Sequence, residues 1–177
     1  IKSIGNSITF RRNLTGMEDI RLGVLALSDS VASRLRKHGL KCATVHIGIK
    51  NPSLKTISRQ KTLAIPTFLA KVIADSSLEL IRSCWNLNAP IRMLSISGSN
   101  LIPIEETGEQ LTFFDQSEMQ KLKKQEQLEN TLDTIRGKFG STSISFGGIL
   151  HNDLGIETQN TKRSSDNLLE STFPDIS

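Results

Sequence analysis

Residues 42–65 read as two strands meeting at an Asn51-Pro52-Ser53 turn. In the first arm Ala43, Val45, Ile47 and Ile49 alternate with Thr44, His46, Gly48 and Lys50. A period of two with one apolar and one polar side predicts a half-buried sheet. An earlier stretch, Lys2 to Arg12, has the same period. Ile4, Ile8 and Phe10 fall on one face, Ser3, Gly5, Ser7, Thr9 and Arg11 on the other. Between these segments the period changes. Ile20, Val24, Leu27, Val31 and Leu35 recur at spacings of three and four, one helical stripe ending near His38. Thr15 and Glu18 are spaced for a capping box, and Gly39 suits the left-handed residue after the helix. A second helix is predicted from about Phe68 to Trp85, with Leu69, Val72, Ile73, Leu80, Ile81 and Trp85 as its stripe and Ser76-Ser77 weakening its middle. Ile91 to Ser97 reads as a fourth strand, Leu94 and Ile96 on one face and Met93, Ser95 and Ser97 on the other.

The order strand, helix, strand, strand, helix, strand defines the fold class: an α/β (α+β) ferredoxin-like split βαβ sandwich over residues 1–103. Both helices can lie on one side of the sheet, which leaves the polar side uncovered. Small hydroxyl residues and Gly on that side let a large flat partner come close to the backbone.

Charge sharpens this reading. From Lys41 to Pro66 there are five cations and no Asp or Glu. Residues 1–103 carry 15 Lys and Arg against 5 Asp and Glu, net +10; residues 104–177 carry 7 against 13, net −6. A basic folded part with an acidic extension points to nucleic acid. No run of about 18 apolar residues is present, so no membrane-spanning segment is expected. Cys42 and Cys84 read as free thiols of a reducing, cytoplasmic compartment. His38, His46 and His151 have no partners at ligand spacing, so no metal site is expected.

Lys2-Ser3-Ile4-Gly5-Asn6-Ser7, followed by Arg11-Arg12-Asn13-Leu14, resembles the opening of the little-finger domain of the Y-family translesion DNA polymerases, the ImpB/MucB/SamB family that includes DNA polymerase IV and UmuC-like proteins. Ser58-Arg59-Gln60-Lys61-Thr62 is similar to that family's third-strand motif. The resemblance covers about residues 1–103. It implies a sheet that lies in the major groove of primer–template duplex and touches the backbone of both strands, in damage bypass and the SOS response. The residues suit this. Ser3, Ser7, Thr9, Ser58 and Thr62 can donate hydrogen bonds to phosphates, and Gly5 opens its backbone. Arg11, Arg12, Lys50, Arg59 and Lys61 supply charge, with Arg92 on the fourth strand. No set of side chains reads as a base-edge reader. Neutralising about five phosphates predicts a slope of log K against log salt of roughly −4 to −5.

Residues 104–115 read as an acidic linker. Within it Gln110-Leu111-Thr112-Phe113-Phe114 looks like the sliding-clamp-binding peptide of bacterial polymerases, Leu111 and Phe114 serving as anchors and Gln110 fixing orientation. Residues 116–150 are expected to be a helical extension. Leu122, Leu128, Leu132 and Ile135 form a thin stripe, and the helix packs either on the domain or on a second chain. Leu132 to Gly140 and Gly147 to Leu150 are similar to the tail of some Gram-positive members. Residues 151–177 are polar and expected to be disordered.

Phosphoryl transfer needs carboxylates gathered around metal ions. The folded part has only Glu18, Asp19, Asp29, Asp75 and Glu79, all on helices or at their starts. The reading is therefore a non-catalytic part with no cofactor of its own. Mg²⁺ and the catalytic core are expected on the same polypeptide, before Ile1. Two alternatives share the element order. An RNA-recognition sheet needs stacking aromatics, and the chain has no Tyr and one Trp. A ferredoxin-like regulatory or oligomerisation module would bind a small ligand or another copy through the sheet, which the acid-free basic face argues against.

Overall fold

The computed structural model describes residues 1–108, 116–140, 143–144 and 152–156. The elements are β1 (Ser3–Leu14), α1 (Gly16–Lys37), β2 (Leu40–Lys50), β3 (Thr56–Thr67), α2 (Ala70–Cys84), β4 (Ile91–Pro103), a 3₁₀ turn (Ile104–Gly108) and α3 (Gln116–Phe139). The predicted βαββαβ order holds. The four strands form one antiparallel sheet in the order β1-β4-β2-β3. In a ferredoxin-like sheet β1 and β3 are central. Here β2 and β4 are, and each βαβ unit is still split by one intervening strand.

Both stripes predicted for the helices face the sheet. Ile20, Val24, Leu27, Val31 and Leu35 are all fully buried, as are Ile73 and Ile81. They meet Ile4, Ile8 and Phe10 of β1, Val45, Ile47 and Ile49 of β2, and Leu94 and Ile96 of β4. Gly23 is what lets β1 approach α1: a Cβ there would lie 2.9 Å from Cζ of Phe10. Gly39 has φ of 64°, as a helix-terminating residue should. Ser76-Ser77 does not interrupt α2, because both side chains are buried and Ser77 Oγ donates to the carbonyl of Ile73 at 2.7 Å.

Three local readings are corrected. Thr15 occupies the N-cap of α1 but its side chain makes no capping bond; Asp19, not Glu18, accepts the Thr15 N–H, at 3.0 Å. The alternation of β2 slips at its start: Cys42 and Thr44 are buried while Ala43 is only half-buried. The cause lies in the neighbours, a register shift on β3 and a left-handed Asn100 (φ 51°) on β4. Cys42 then lies against Gly98, where a Cβ would come within 2.6 Å of its own, and burial pushes its thiol up to about 11. Finally, part of the stretch expected to be disordered packs on the domain. Leu154 and Ile156 are buried, and the Leu154 carbonyl accepts the Arg11 N–H on the outer edge of β1 at 3.0 Å.

α3 lies over the start of α2 and the end of α1, held by charge more than by its stripe. Leu122 is half-buried but Leu128 is 60% exposed. Asp133 accepts from Arg36 Nε at 2.5 Å, Glu129 pairs with the same guanidinium, Glu126 pairs with Lys41 at 2.7 Å, and Arg136 pairs with Asp29 at 3.0 Å. Glu126, Glu129, Asp133 and Arg136 follow one face at helical spacing. Glu129 also accepts the N–H of Ala70, the first residue of α2, at 2.8 Å, an N-terminus whose own cap position is an apolar Leu69. Arg36 and Lys41 meanwhile stand over the Phe68 ring, at 5.8 and 5.3 Å from its centroid.

Candidate nucleic-acid interface

The strand registers assemble the uncovered face row by row. Ser3, Ser99, Thr44 and Thr62 form one cross-strand row. Gly5, Ser97, His46 and Gln60 form the next, then Ser7, Ser95, Gly48 and Ser58, and last Thr9, Met93, Lys50 and Thr56. The face is a lattice of hydroxyls with two glycines in its middle. None of the four strands contains an Asp or Glu. The glycines keep it flat: a Cβ at Gly5 would lie 2.6 Å from that of Ser97, and one at Gly48 would meet Ser95 Oγ.

Of the residues expected to touch DNA, Ser3, Gly5, Ser7, Thr9, Lys50, Ser58 and Thr62 share this face. The other cations do not join them at its centre. Arg59 and Lys61 pair across the sheet with Ile47 and Val45, residues of the helix side, and so hang from the β3 edge toward α2. Lys61 donates to Glu79 of α2 at 2.5 Å. Arg59 is exposed, and its charge works against the burial that raises the Cys84 thiol. Arg12 shares the parity of Ile8 and Phe10. It is clamped by Asp19 at 2.5 Å and Asp153 at 2.6 Å. Those hydrogen bonds hold the guanidinium well above its ordinary range and draw the Asp19 and Asp153 carboxyls below theirs. Arg11 lies within the register shift of β1, its side chain along Gly155. Arg92 is exposed at the start of β4.

The face therefore has a neutral, hydroxyl-rich centre and cations at its rim. Alternation in the sequence had located the face but not the inward turn of Arg12, Arg59 and Lys61, which depends on parity along an edge strand and a bulged one. Thr44, His46, Gln60, Ser95 and Ser99 went unassigned, although their parity signalled the face. His46 Nε2 lies 2.6 Å from Ser99 Oγ, and Asn100 Nδ2 donates to Thr44 Oγ1 at 2.9 Å. The clamp-like residues Gln110, Leu111, Thr112, Phe113 and Phe114 lie outside the described residues. Among the described residues no helix is long and apolar enough to cross a membrane.

A βαββαβ sandwich with such a face is matched over residues 1–113 by the model of the impB/mucB/samB family C-terminal domain, and the chain belongs to that family. Its relatives include a DNA polymerase IV from Acetivibrio thermocellus, 40% identical over 156 residues, 88% of this chain and 38% of the relative. Another, from Clostridium kluyveri, is 33% identical over 154 residues, 85% of this chain and 38% of the relative. The chain thus spans little more than a third of these relatives. A solved complex of the beta-clamp processivity factor with the little-finger domain of PolIV is similar at a TM-score of 0.48 and 13% identity, covering 57% of this chain and 90% of that one.

Proposed function

We propose that this chain is the non-catalytic, duplex-gripping part of a translesion DNA polymerase. It holds primer–template DNA through the open sheet without reading base sequence. The peptide Gln110–Phe114 tethers it to the bacterial sliding clamp. It works in the cytoplasm beside a catalytic core of the same polypeptide, where the Mg²⁺ chemistry takes place.

The observation that carries this reading is a sheet face without a single carboxylate, lined by hydroxyls and flat at Gly5 and Gly48, on a chain of this family. Phosphate oxygens need donors and close approach, and serine, threonine and backbone N–H groups give both without distinguishing bases. A lesion-tolerant enzyme needs that indifference. The clamp reading rests on sequence: a Gln, a Leu and a Phe pair placed just after the domain.

Amide NMR with an added duplex of mixed sequence tests the grip. Ser7, Gly48, Ser58 and Ser97 should shift while the outer faces of α1 and α2 stay still. Shifts confined to the helical layer, or self-association through the sheet without DNA, would replace this reading with the oligomerisation module. For the tether, Phe113→Ala with Phe114→Ala should abolish retention on a purified sliding clamp; undiminished retention contradicts it.

A further inference from the structure

We propose that Asp153 occupies, on Arg12, the place of a DNA backbone phosphate, so that segment 152–156 withholds from DNA a phosphate site on the outer edge of β1. The proposal rests on the duplex-binding reading above. It adds to that reading a site, its ligand class, a phosphodiester, and the acid that closes it.

The donors are already arranged around an anion. Arg12 Nε and Nη2 donate to the two oxygens of Asp153 at 2.6 and 2.9 Å, a fork on one edge of the guanidinium. Carboxylate and phosphate meet an arginine edge in this same two-bond geometry. The other edge is held by Asp19, which accepts from Nη1 at 2.5 Å and from Nη2 at 3.0 Å; Nη1 also donates to the Asn13 carbonyl at 3.2 Å. One residue earlier on the strand, the Arg11 N–H donates to the Leu154 carbonyl at 3.0 Å. Segment 152–156 thus lays an oxygen acceptor on a backbone N–H and two more on the neighbouring guanidinium, the donor types that hold phosphates.

The two carboxylates differ in what they do for the fold. The Asp19 side chain is 16% exposed and also accepts the Thr15 N–H at the start of α1; it neutralises Arg12 by itself. The Asp153 side chain is 70% exposed, and an ion pair so exposed adds little to stability. Segment 152–156 is seated by other means: Leu154 and Ile156 are buried in the core, and Asn152 Oδ1 accepts the Leu154 N–H at 2.9 Å. One guanidinium between two carboxylates leaves a surplus negative charge, on the solvent side. The strand registers gather Arg11 and Arg12 of β1, Arg92 of β4 and Lys50 of β2 at this end of the sheet, and the strands themselves contain no acid. Asp153 brings a carboxylate there that Arg12 does not need for neutrality, and it sits where a phosphate would.

Asp153→Asn keeps the shape of the side chain and removes its charge. In anisotropy titrations of the whole chain with a labelled duplex of mixed sequence, this variant should bind about three- to tenfold more tightly than wild type, the worth of one phosphate contact. Its salt slope should steepen by about 0.9, one more neutralised phosphate. Asp153→Asn combined with Arg12→Gln should lose both gains. In Asp153→Asn the Arg12 Nε–H signal should shift on adding duplex. The Arg11 amide should stay protected from exchange with and without DNA, because Leu154 and Ile156 keep the segment seated. A gain that survives Arg12→Gln would overturn the phosphate site and leave Asp153 as a general repulsive charge. Wild-type binding with no gain in Asp153→Asn sinks the stand-in alone; no duplex binding by wild type or either variant sinks the grip as well.

Discussion

Lys61 of β3 is bonded to Glu79 of α2 at 2.5 Å, on the helix side of the sheet. It belongs to the motif that most resembles a DNA-contacting strand, yet its charge is shared with a carboxylate behind the sheet. Lys50 lies on the open face and has no such partner among the described residues. Lys50→Ala should therefore weaken duplex binding by about three- to tenfold, the loss of one phosphate contact, and Lys61→Ala by less than twofold. Equal losses for the two, in parallel anisotropy titrations, would mean that Lys61 swings off Glu79 when DNA arrives.

The open face tolerates no added bulk at Gly5 but does at Ser97. Gly5→Ala puts its Cβ 2.6 Å from that of Ser97 and 3.1 Å from the Ile96 carbonyl, so β1 must move. A destabilisation of about 1–3 kcal/mol is expected in urea unfolding, the range for overpacking. Ser97→Asp extends from a half-buried position whose Cβ already fills the space beside Gly5. It should keep the fold and lose duplex binding, because it places a carboxylate where phosphates sit. Retained binding in Ser97→Asp would exclude this face as the contact.

α3 should come off the domain without unfolding it. Arg36 is 4% exposed in its side chain and satisfies both Glu129 and Asp133. Burial lowers its affinity for the proton, but the bonds to Asp133 and Glu129 more than offset that; burial also pushes the Glu129 carboxyl up against the pull of Arg36 and the Ala70 N–H. Arg36→Ala leaves two carboxylates half-enclosed and uncompensated, a loss of about 3 kcal/mol confined to docking of α3. Hydrogen exchange should show fast amides throughout α3 while β2 and β4 stay protected. Simultaneous loss of protection in the sheet would show that α3 is integral to the domain.

The Asp19 carboxyl is drawn down first by its bond to Arg12, then by the Thr15 N–H, against the opposing effect of burial. A carboxyl held below its unfolded value adds stability above the ordinary Asp range, and that stability is lost as pH falls through the folded value. Asp19→Asn should cost about 1 kcal/mol at neutral pH, since Arg12 is partly exposed and screened. The difference from wild type should shrink as pH falls below the ordinary Asp value of about 4. A pH-independent difference would assign the effect to packing.

The element order, the two helix stripes and the polarity of the faces were legible because each is a local period that burial then enforced. Ile20 through Leu35 needed only spacing. Strand order was not local: nothing in β1 alone says that β4, not β2, will be its neighbour. The cations misled for a related reason. Alternation assigns a side to each residue only while the register is regular, and Arg12 lies on the bulged segment of β1 between Thr9 and Leu14. Arg59 and Lys61 had the parity of the apolar side all along, but their charge argued for the open one. An edge strand resolves that conflict, since its inner-side residues can reach solvent past α2. The packing of Leu154 and Ile156 on β1 was hidden because two apolar residues in a polar stretch carry no period.

Salt dependence of duplex binding by the whole chain tests the central claim most directly. Five neutralised phosphates would give a slope near −4 to −5, but Arg12 and Lys61 are held by carboxylates and drop out of that set. Anisotropy titrations at neutral pH should give a slope of about −3, unchanged between duplexes of unrelated sequence. Binding that is insensitive to salt, or that holds for one sequence and fails for another, would contradict a sheet that grips the backbone without reading it.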